Sequence, residues 1–260
     1  MPAGAFYEPA GPGRFRSTAH TVGPWTPKDQ HAGPPAALLV RAIERVVPPA
    51  GGRLTRVTVD LLGGVPVAEV EVRARVVRGG RSVQLAEAEL VAGGRVAARA
   101  AAWWQQTTDT SVVAVTPAAA PSRPVGAAPA VPPWSRRGYL NAMEWVTVDG
   151  SFDRPGPATV WARMRHPLVA GEQPTGLQRL LTVADSGNGV SWRLDVERWL
   201  FINTELTVHV LREPSGEWIC LHAVTLIGAD GSGLAVSRLF DRDGEVGRGA
   251  QALLIRPRTP

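Results

Sequence analysis

A pattern of strands and turns is written twice into this chain, and that repetition limits the folds open to it. Residues 57–76 read as a strand, a turn and a second strand, and residues 194–211 read the same way. Each stretch is followed by a Gly-rich hairpin and another alternating run. Each half then closes on a similar strand, 96–104 and 246–254, which lie 150 positions apart. Two units of about 110–130 residues are expected rather than one large domain. Side chains able to do chemistry concentrate in the second unit, so function is expected there, close to the junction with the first.

Each unit also carries one helix. In the first, Pro34 and Pro35 suit an opening helical turn, and Leu38, Leu39, Ala42, Ile43, Val46 and Val47 fall on one helical face. The Pro-Pro-Ala-Gly-Gly run at 48–52 stops it. In the second, a helix is expected over 176–184, ended by Asp-Ser-Gly-Asn-Gly at 185–189. Strands are expected at 14–21, 54–62, 67–78, 81–92 and 95–106, and again at 143–148, 158–165, 191–202, 204–213, 216–228, 232–241 and 245–255. Positions 67–77 alternate cleanly between charged and apolar, as a half-buried antiparallel strand does. The result is an α+β chain in tandem: residues 1–110, a Pro/Ala-rich linker over 111–135, and residues 136–260.

Composition excludes several classes. No run of about 18 apolar residues is present, so no membrane span is expected. The first residues lack a basic and an apolar segment, so a secretory signal is not expected. The single cysteine, Cys220, has no internal partner for a disulfide, which fits a reducing, cytoplasmic setting. The net charge of +5 comes almost wholly from arginine, Lys28 being the one lysine. These arginines are scattered and form no block, which argues against nucleic acid as a partner. They reflect either codon preference or a basic rim for a phosphorylated ligand. No Ser nucleophile elbow, Walker loop or dinucleotide fingerprint occurs. His20, His166, His209 and His222 have no metal-ligand spacing.

Four stretches carry a family resemblance: Gln-His-Ala-Gly-Pro-Pro-Ala-Ala-Leu-Leu at 30–39, Leu-Leu-Thr-Val-Ala-Asp-Ser-Gly-Asn-Gly at 180–189, Leu-Asp-Val-Glu-Arg-Trp-Leu-Phe-Ile at 194–202, and Gly-Ala-Gln-Ala-Leu-Leu at 249–254. Together they resemble the acyl-CoA thioesterase II family, over nearly the whole chain. The resemblance implies a double hotdog fold, in which each copy wraps a curved antiparallel sheet around one helix. It implies hydrolysis of an acyl thioester by a water that an Asp, a Thr and a Gln of the second copy orient. Asp185 matches the Asp and Gln251 the Gln. Alignment on Leu194 and Asp195 places Arg193 where the family has its Thr. Ser191, two residues earlier on the expected strand, is the nearest hydroxyl.

The residues also have readings of their own. A carboxylate at Asp185 in a cleft suits a general base, and it equally suits local turn hydrogen bonds. Gln251 interrupts an apolar strand, its counterpart in the first copy reading as Ala101; a buried amide there must find partners. Asn188 is placed to support Asp185 or to meet the substrate carbonyl. Gly187 and Gly189 allow positive φ, close ligand approach or a plain helix stop. His31 and Gly33 stand at the first helix start, where backbone amides can hold an oxyanion, although Pro34 and Pro35 remove two donors. Arg193, Arg198 and Arg179 are candidates for a CoA phosphate or remain solvated. Trp103, Trp104, Trp192 and Trp199 wall an acyl tunnel or pack the core.

The expected function is therefore acyl-CoA hydrolysis with a water held by Asp185 and Gln251, with Ser191 as the hydroxyl and His31, Gly33, Asn188, Gly189 and Arg193 around the substrate. No metal, cofactor or covalent intermediate is required. The alternative is a non-catalytic hotdog protein that binds acyl-CoA. A homodimer is expected from the symmetry habits of such sheets.

Overall fold

The computed structural model describes residues 4–125, 137–152 and 154–258. Part of the expected linker, 126–135, lies outside them. The first copy begins with two short strands, β1 (Tyr7–Gly11) and β2 (Arg14–Ser17), then helix α1 (Gly33–Glu44) and strands β3 (Gly52–Leu61), β4 (Glu69–Arg78), β5 (Val83–Ala92) and β6 (Arg95–Gln106). The second begins with a short helix, α2 (Gly138–Ala142), strands β7 (Met143–Ser151) and β8 (Arg154–Met164), helix α3 (Gly176–Ala184) and a single-turn helix α4 (Gly187–Val190). Strands β9 (Trp199–Asn203), β10 (Glu205–Val210), β11 (Ile219–Ile227), β12 (Ser232–Asp241) and β13 (Gly244–Pro257) complete it.

All thirteen strands form one sheet, in the order β1-β2-β4-β5-β6-β3-β10-β13-β12-β11-β8-β7, with β9 also on β13. The two copies meet at β3 and β10, where Thr58 faces Thr207 and their hydroxyls hydrogen-bond at 3.1 Å. The registers reveal the duplication more finely than the sequence does. Thr58 faces Ala101 in the first copy and Thr207 faces Ala250 in the second, so equivalent positions are 149 apart. Ala86 opposite Ala102 likewise matches Ala235 opposite Gln251. The counterpart of Gln251 is thus Ala102, one position beyond the expected Ala101.

Both long helices lie against one face of this sheet and cross each other. Alternate strand residues feed a single core that runs through both copies and includes Leu38, Leu39, Val57, Val59, Leu180, Leu181, Val208 and Leu221. The crossing is tight because of Gly33, where an added Cβ would lie 2.4 Å from the Thr182 carbonyl oxygen. That carbonyl accepts 2.7 Å from the Tyr139 hydroxyl, which also pairs with Ser186 Oγ at 2.9 Å. Helix α3 is capped by Thr175, whose hydroxyl accepts from the Gln178 amide at 3.1 Å. Cys220 is fully buried on β11 between β8 and β12, and burial pushes its thiol up to about 12.

The expected strand over 191–202 is the main correction. Only Trp199–Asn203 is extended. Ahead of it Asp195 makes a turn, its carboxylate accepting from the Glu197 amide at 2.9 Å and its carbonyl from the amides of Arg198 and Trp199. A short polar residue that bonds its own backbone competes with a strand ladder, and here it wins. Strand β1 and helices α2 and α4 were not legible as elements.

The second copy is stapled at one end by Asp241. Its fully buried carboxylate is held by Arg212, by the Ser215 amide at 2.7 Å and by the Asp243 amide at 2.8 Å. Burial alone would raise its pKa, but these donors outweigh burial and hold it below the ordinary carboxylate value. A depressed native pKa stabilises the fold above the unfolded value and loses that effect as pH falls through the native one. Asp241→Asn is therefore expected to destabilise the protein by about 2 kcal/mol at neutral pH, with the difference from wild type shrinking below about pH 4. Thermal melts across pH 3–8 check both statements.

Candidate functional site

Helix α3 ends at Ala184, and the chain turns there through Asp185 and Ser186 into α4. That turn points the Asp185 side chain into the space between the sheet and the start of α1. Three polar side chains from separate parts of the chain converge on it. Asn203, the last residue of β9, donates through Nδ2 to Asp185 Oδ1 at 2.8 Å. Gln251 on β13 donates through Nε2 to the Asp185 carbonyl at 3.0 Å and, more weakly, to Oδ1 at 3.4 Å. Its Oε1 accepts from the Asn188 amide at 3.0 Å. His31, just ahead of α1, brings Nδ1 to 3.0 Å from Asp185 Oδ2.

The His31 Nδ1 atom also lies 3.1 Å from the Gly33 amide. One ring nitrogen cannot accept from an amide and donate to a carboxylate in the same protonation state. The carboxylate is the stronger partner, so the proton belongs on Nδ1 facing Asp185. The Gly33 N–H is then left without a good acceptor at a helix start. The His31 ring is fixed from behind by the Tyr139 ring, stacked at 3.7 Å with an angle of 14° between planes. Tyr139 is itself buried, which raises its phenol pKa, so it stays neutral and donates.

The set is nearly closed. Asp185 shows 4% of its side chain to solvent and His31 12%, while Gln251 is 2% exposed. Gly189, one turn away on α4, is exposed, with open space where a Cβ would go. Next to the set lies a separate apolar cluster of Phe201, Leu253 and Ile255, covered by Trp25, Trp192 and Trp199. Asn188 ties the two together, its Nδ2 donating to the Phe201 carbonyl at 3.0 Å.

Of the residues singled out in the sequence, Asp185, Gln251, Asn188, His31 and Gly33 come together. Gly187 and Gly189 do not have positive φ; both are helical. Gly187 is needed for a different reason, since a Cβ there would sit 2.7 Å from Gln251 Oε1. Ser191 and Arg193 are not part of the hydrogen-bonded set. Ser191 closes α4, where its hydroxyl donates to the Gly187 carbonyl at 2.8 Å and pairs with Thr225 Oγ1 at 2.7 Å. Arg193 Nε donates to the Thr225 carbonyl at 2.7 Å. Both fasten α4 and the following turn to β11. Of the four tryptophans, Trp104 is buried in the main core and Trp103 lies on the far face of the sheet. Arg179 borders a separate cleft of about 300 Å³ with Arg163, His166 and Glu217. Asn203 and Tyr139 were missed. Asn203 carried a faint signal, as the one polar residue ending the run Trp-Leu-Phe-Ile; Tyr139 carried none.

The comparisons with known proteins agree with this architecture. Residues 21–105 match the model of the acyl-CoA thioesterase N-terminal domain, and residues 115–255 match that of the C-terminal domain. No curated protein matches the chain in sequence. Among solved structures, a hotdog-fold protein from Alicyclobacillus acidocaldarius superposes with a TM-score of 0.75 at 18% identity, covering 95% of this chain and 93% of that one. A tesB protein from Mycobacterium avium subsp. paratuberculosis gives 0.69 at 15% identity, with 96% of each chain covered. An acyl-CoA thioesterase II from Mycobacterium marinum gives 0.66 at 16%, covering 97% and 95%. At these identities the superpositions speak for the double hotdog fold, and the two domain models speak for the lineage. The chain belongs to the acyl-CoA thioesterase family and carries both of its domains in tandem.

Proposed function

We propose that this protein hydrolyses an acyl-CoA thioester at the Asp185 site, with a water activated by the Asp185–His31 pair. The observation that carries the reading is the convergence of His31 from the first copy with Asp185, Asn203 and Gln251 from the second on one nearly dry carboxylate. Gln251 takes a narrower part than the sequence led us to expect. Its oxygen already serves Asn188 and its nitrogen already serves Asp185. It is better suited to position Asp185 than to hold the water itself.

Asp185 Oδ1 is occupied by Asn203 and Gln251 and Oδ2 accepts from His31, which leaves the second lone pair of Oδ2 to take up a water. The water oxygen bonds to the thioester carbonyl carbon as its proton passes to the carboxylate. Charge develops on the carbonyl oxygen, and the Gly33 N–H at the start of α1 is a fitting donor for it once it turns from His31 Nδ1 to the substrate. The intermediate collapses with cleavage of the C–S bond, and the proton returns to the departing sulfur. The products are a carboxylic acid and the free thiol of CoA. The acyl chain suits the Phe201, Leu253 and Ile255 cluster, and exposed Gly189 marks the side from which the thioester approaches. A cytoplasmic setting and a homodimer go with this reading: the one thiol is free, and two tandem chains repeat the symmetry of four single ones.

One observation favours the second reading, a protein that binds acyl-CoA without cleaving it: the expected hydroxyl partner is missing from the set, and its sequence position holds Arg193, bonded to Thr225. Release of free thiol from a panel of acyl-CoAs separates the two. Wild type is expected to release thiol with at least one chain length, whereas tight binding with no release selects the second reading.

Asp185→Asn is expected to lower kcat by about a hundredfold or more with a native circular dichroism spectrum. Turnover at the wild-type rate removes Asp185 from the mechanism. Gly187→Ala is expected to push the Gln251 amide away from Asn188 and lower kcat about tenfold while KM changes little, as loss of positioning does. An unchanged kcat in a correctly folded variant denies Gln251 its positioning part.

A further inference from the structure

The face of the sheet turned away from Asp185 carries a row with three arginines that the chain neutralises only in part. Gln251 and Arg248 are three apart on β13 and so face opposite sides. On the Arg248 side, directly paired residues run across five adjacent strands: Trp103 on β6, Arg56 on β3, His209 on β10, Arg248 on β13 and Arg238 on β12. Like charges directly opposite one another in a sheet repel. Glu245 partly offsets this, accepting from Arg238 at 2.7 Å and from Arg248 at 2.8 Å. Arg56 forms no ion pair among the described residues, and the Nε groups of Arg56 and Arg238 are buried without a hydrogen-bond partner. A buried charged donor left unmatched is costly.

The duplication supplies an internal control. The row equivalent by the 149-residue offset pairs Arg99 with Asp60 and Asp60 with Glu205. There Arg99 meets Asp60 at 2.9 Å and also faces Glu89, while Asp60 faces Glu205, so acids outnumber arginine in that row. The same sheet position therefore carries an excess of acids in one row and an excess of arginines in the other. All five residues of the cationic row also line the floor of one cleft of about 930 Å³, which the 115–118 segment borders along one side. Trp103 ends the row with an aromatic wall.

We propose that this cleft is a second ligand site, distinct from the hydrolytic one, and that it takes a phosphorylated nucleotide. The phosphates lie along the guanidinium groups of Arg56, Arg248 and Arg238. The base lies against Trp103. The ligand is either a free nucleotide or the nucleotide end of a CoA molecule other than the one being cleaved, since the sheet separates this cleft from Asp185.

Isothermal titration calorimetry on the full chain tests this, with ADP, adenosine 3′,5′-bisphosphate, CoA and inorganic phosphate as probes. At least one nucleotide is expected to bind more tightly than inorganic phosphate, with affinity falling as salt rises. Binding by ADP assigns the site to free nucleotides; binding by the bisphosphate and CoA alone assigns it to the CoA end. Arg56→Gln combined with Arg248→Gln is expected to weaken binding at least tenfold, and Trp103→Ala to weaken nucleotides more than inorganic phosphate. Asp185→Asn is expected to bind as wild type does, so the result stands apart from hydrolysis. The proposal is overturned if no nucleotide binds, if the double variant binds unchanged, or if the double variant alters only the mass of the assembly in light scattering, which would make the row a contact between chains.

Discussion

A carboxyl group taken out of water needs a donor for each oxygen, and Asp185 obtains its donors from both halves of a duplicated chain. Leaving such a group unmatched costs more than most single contacts return, so the elements around it have little freedom. Asn203 fixes the end of β9, Gln251 fixes β13 against the α3–α4 turn, and His31 fixes the approach to α1. The close crossing of α1 and α3 at Gly33 is what brings His31 within reach. Removal of the side chain at that glycine thus links backbone packing to the chemistry several ångströms away.

Duplication explains why the described residues hold one such cluster rather than two. The sheet is nearly symmetric about the Thr58–Thr207 contact, and the registers of the two copies agree position for position. Symmetric backbones with different side chains give different sites. Gln251 corresponds to Ala102, a position that remains in the apolar core. On the outer face the two rows diverge in charge, one holding more acids than bases and its counterpart more arginines than acids. The two faces of one sheet have been specialised separately, which period-two alternation permits without disturbing the fold.

Much of the fold was legible because the periodicity was strong. Helix α3 was read with the bounds it has, and strand β12 likewise. The failures are local and physical. Residues 191–198 look extended, but Asp195 bonds its own backbone and bends the chain, so Ser191 ends up on a helix end with Thr225 instead of on a strand beside Asp185. Asp185, Gln251 and His31 were legible as polar residues at unusual places. Asn203 and Tyr139 were not, because what they do depends on which elements meet in space. The cationic row was invisible for the same reason: its arginines are scattered in sequence, and only strand pairing sets them side by side.

The central claim is that a single pocket, built by both copies around Asp185, holds the thioester. A crystal structure with a non-hydrolysable acyl-CoA analogue tests it most directly. The account expects the atom that replaces the carbonyl oxygen to lie within hydrogen-bond distance of the Gly33 amide, with Asp185 and His31 on the side from which water attacks and the acyl chain among Phe201, Leu253 and Ile255. An analogue whose acyl end lies elsewhere, with the Asp185 set still closed and untouched, contradicts it.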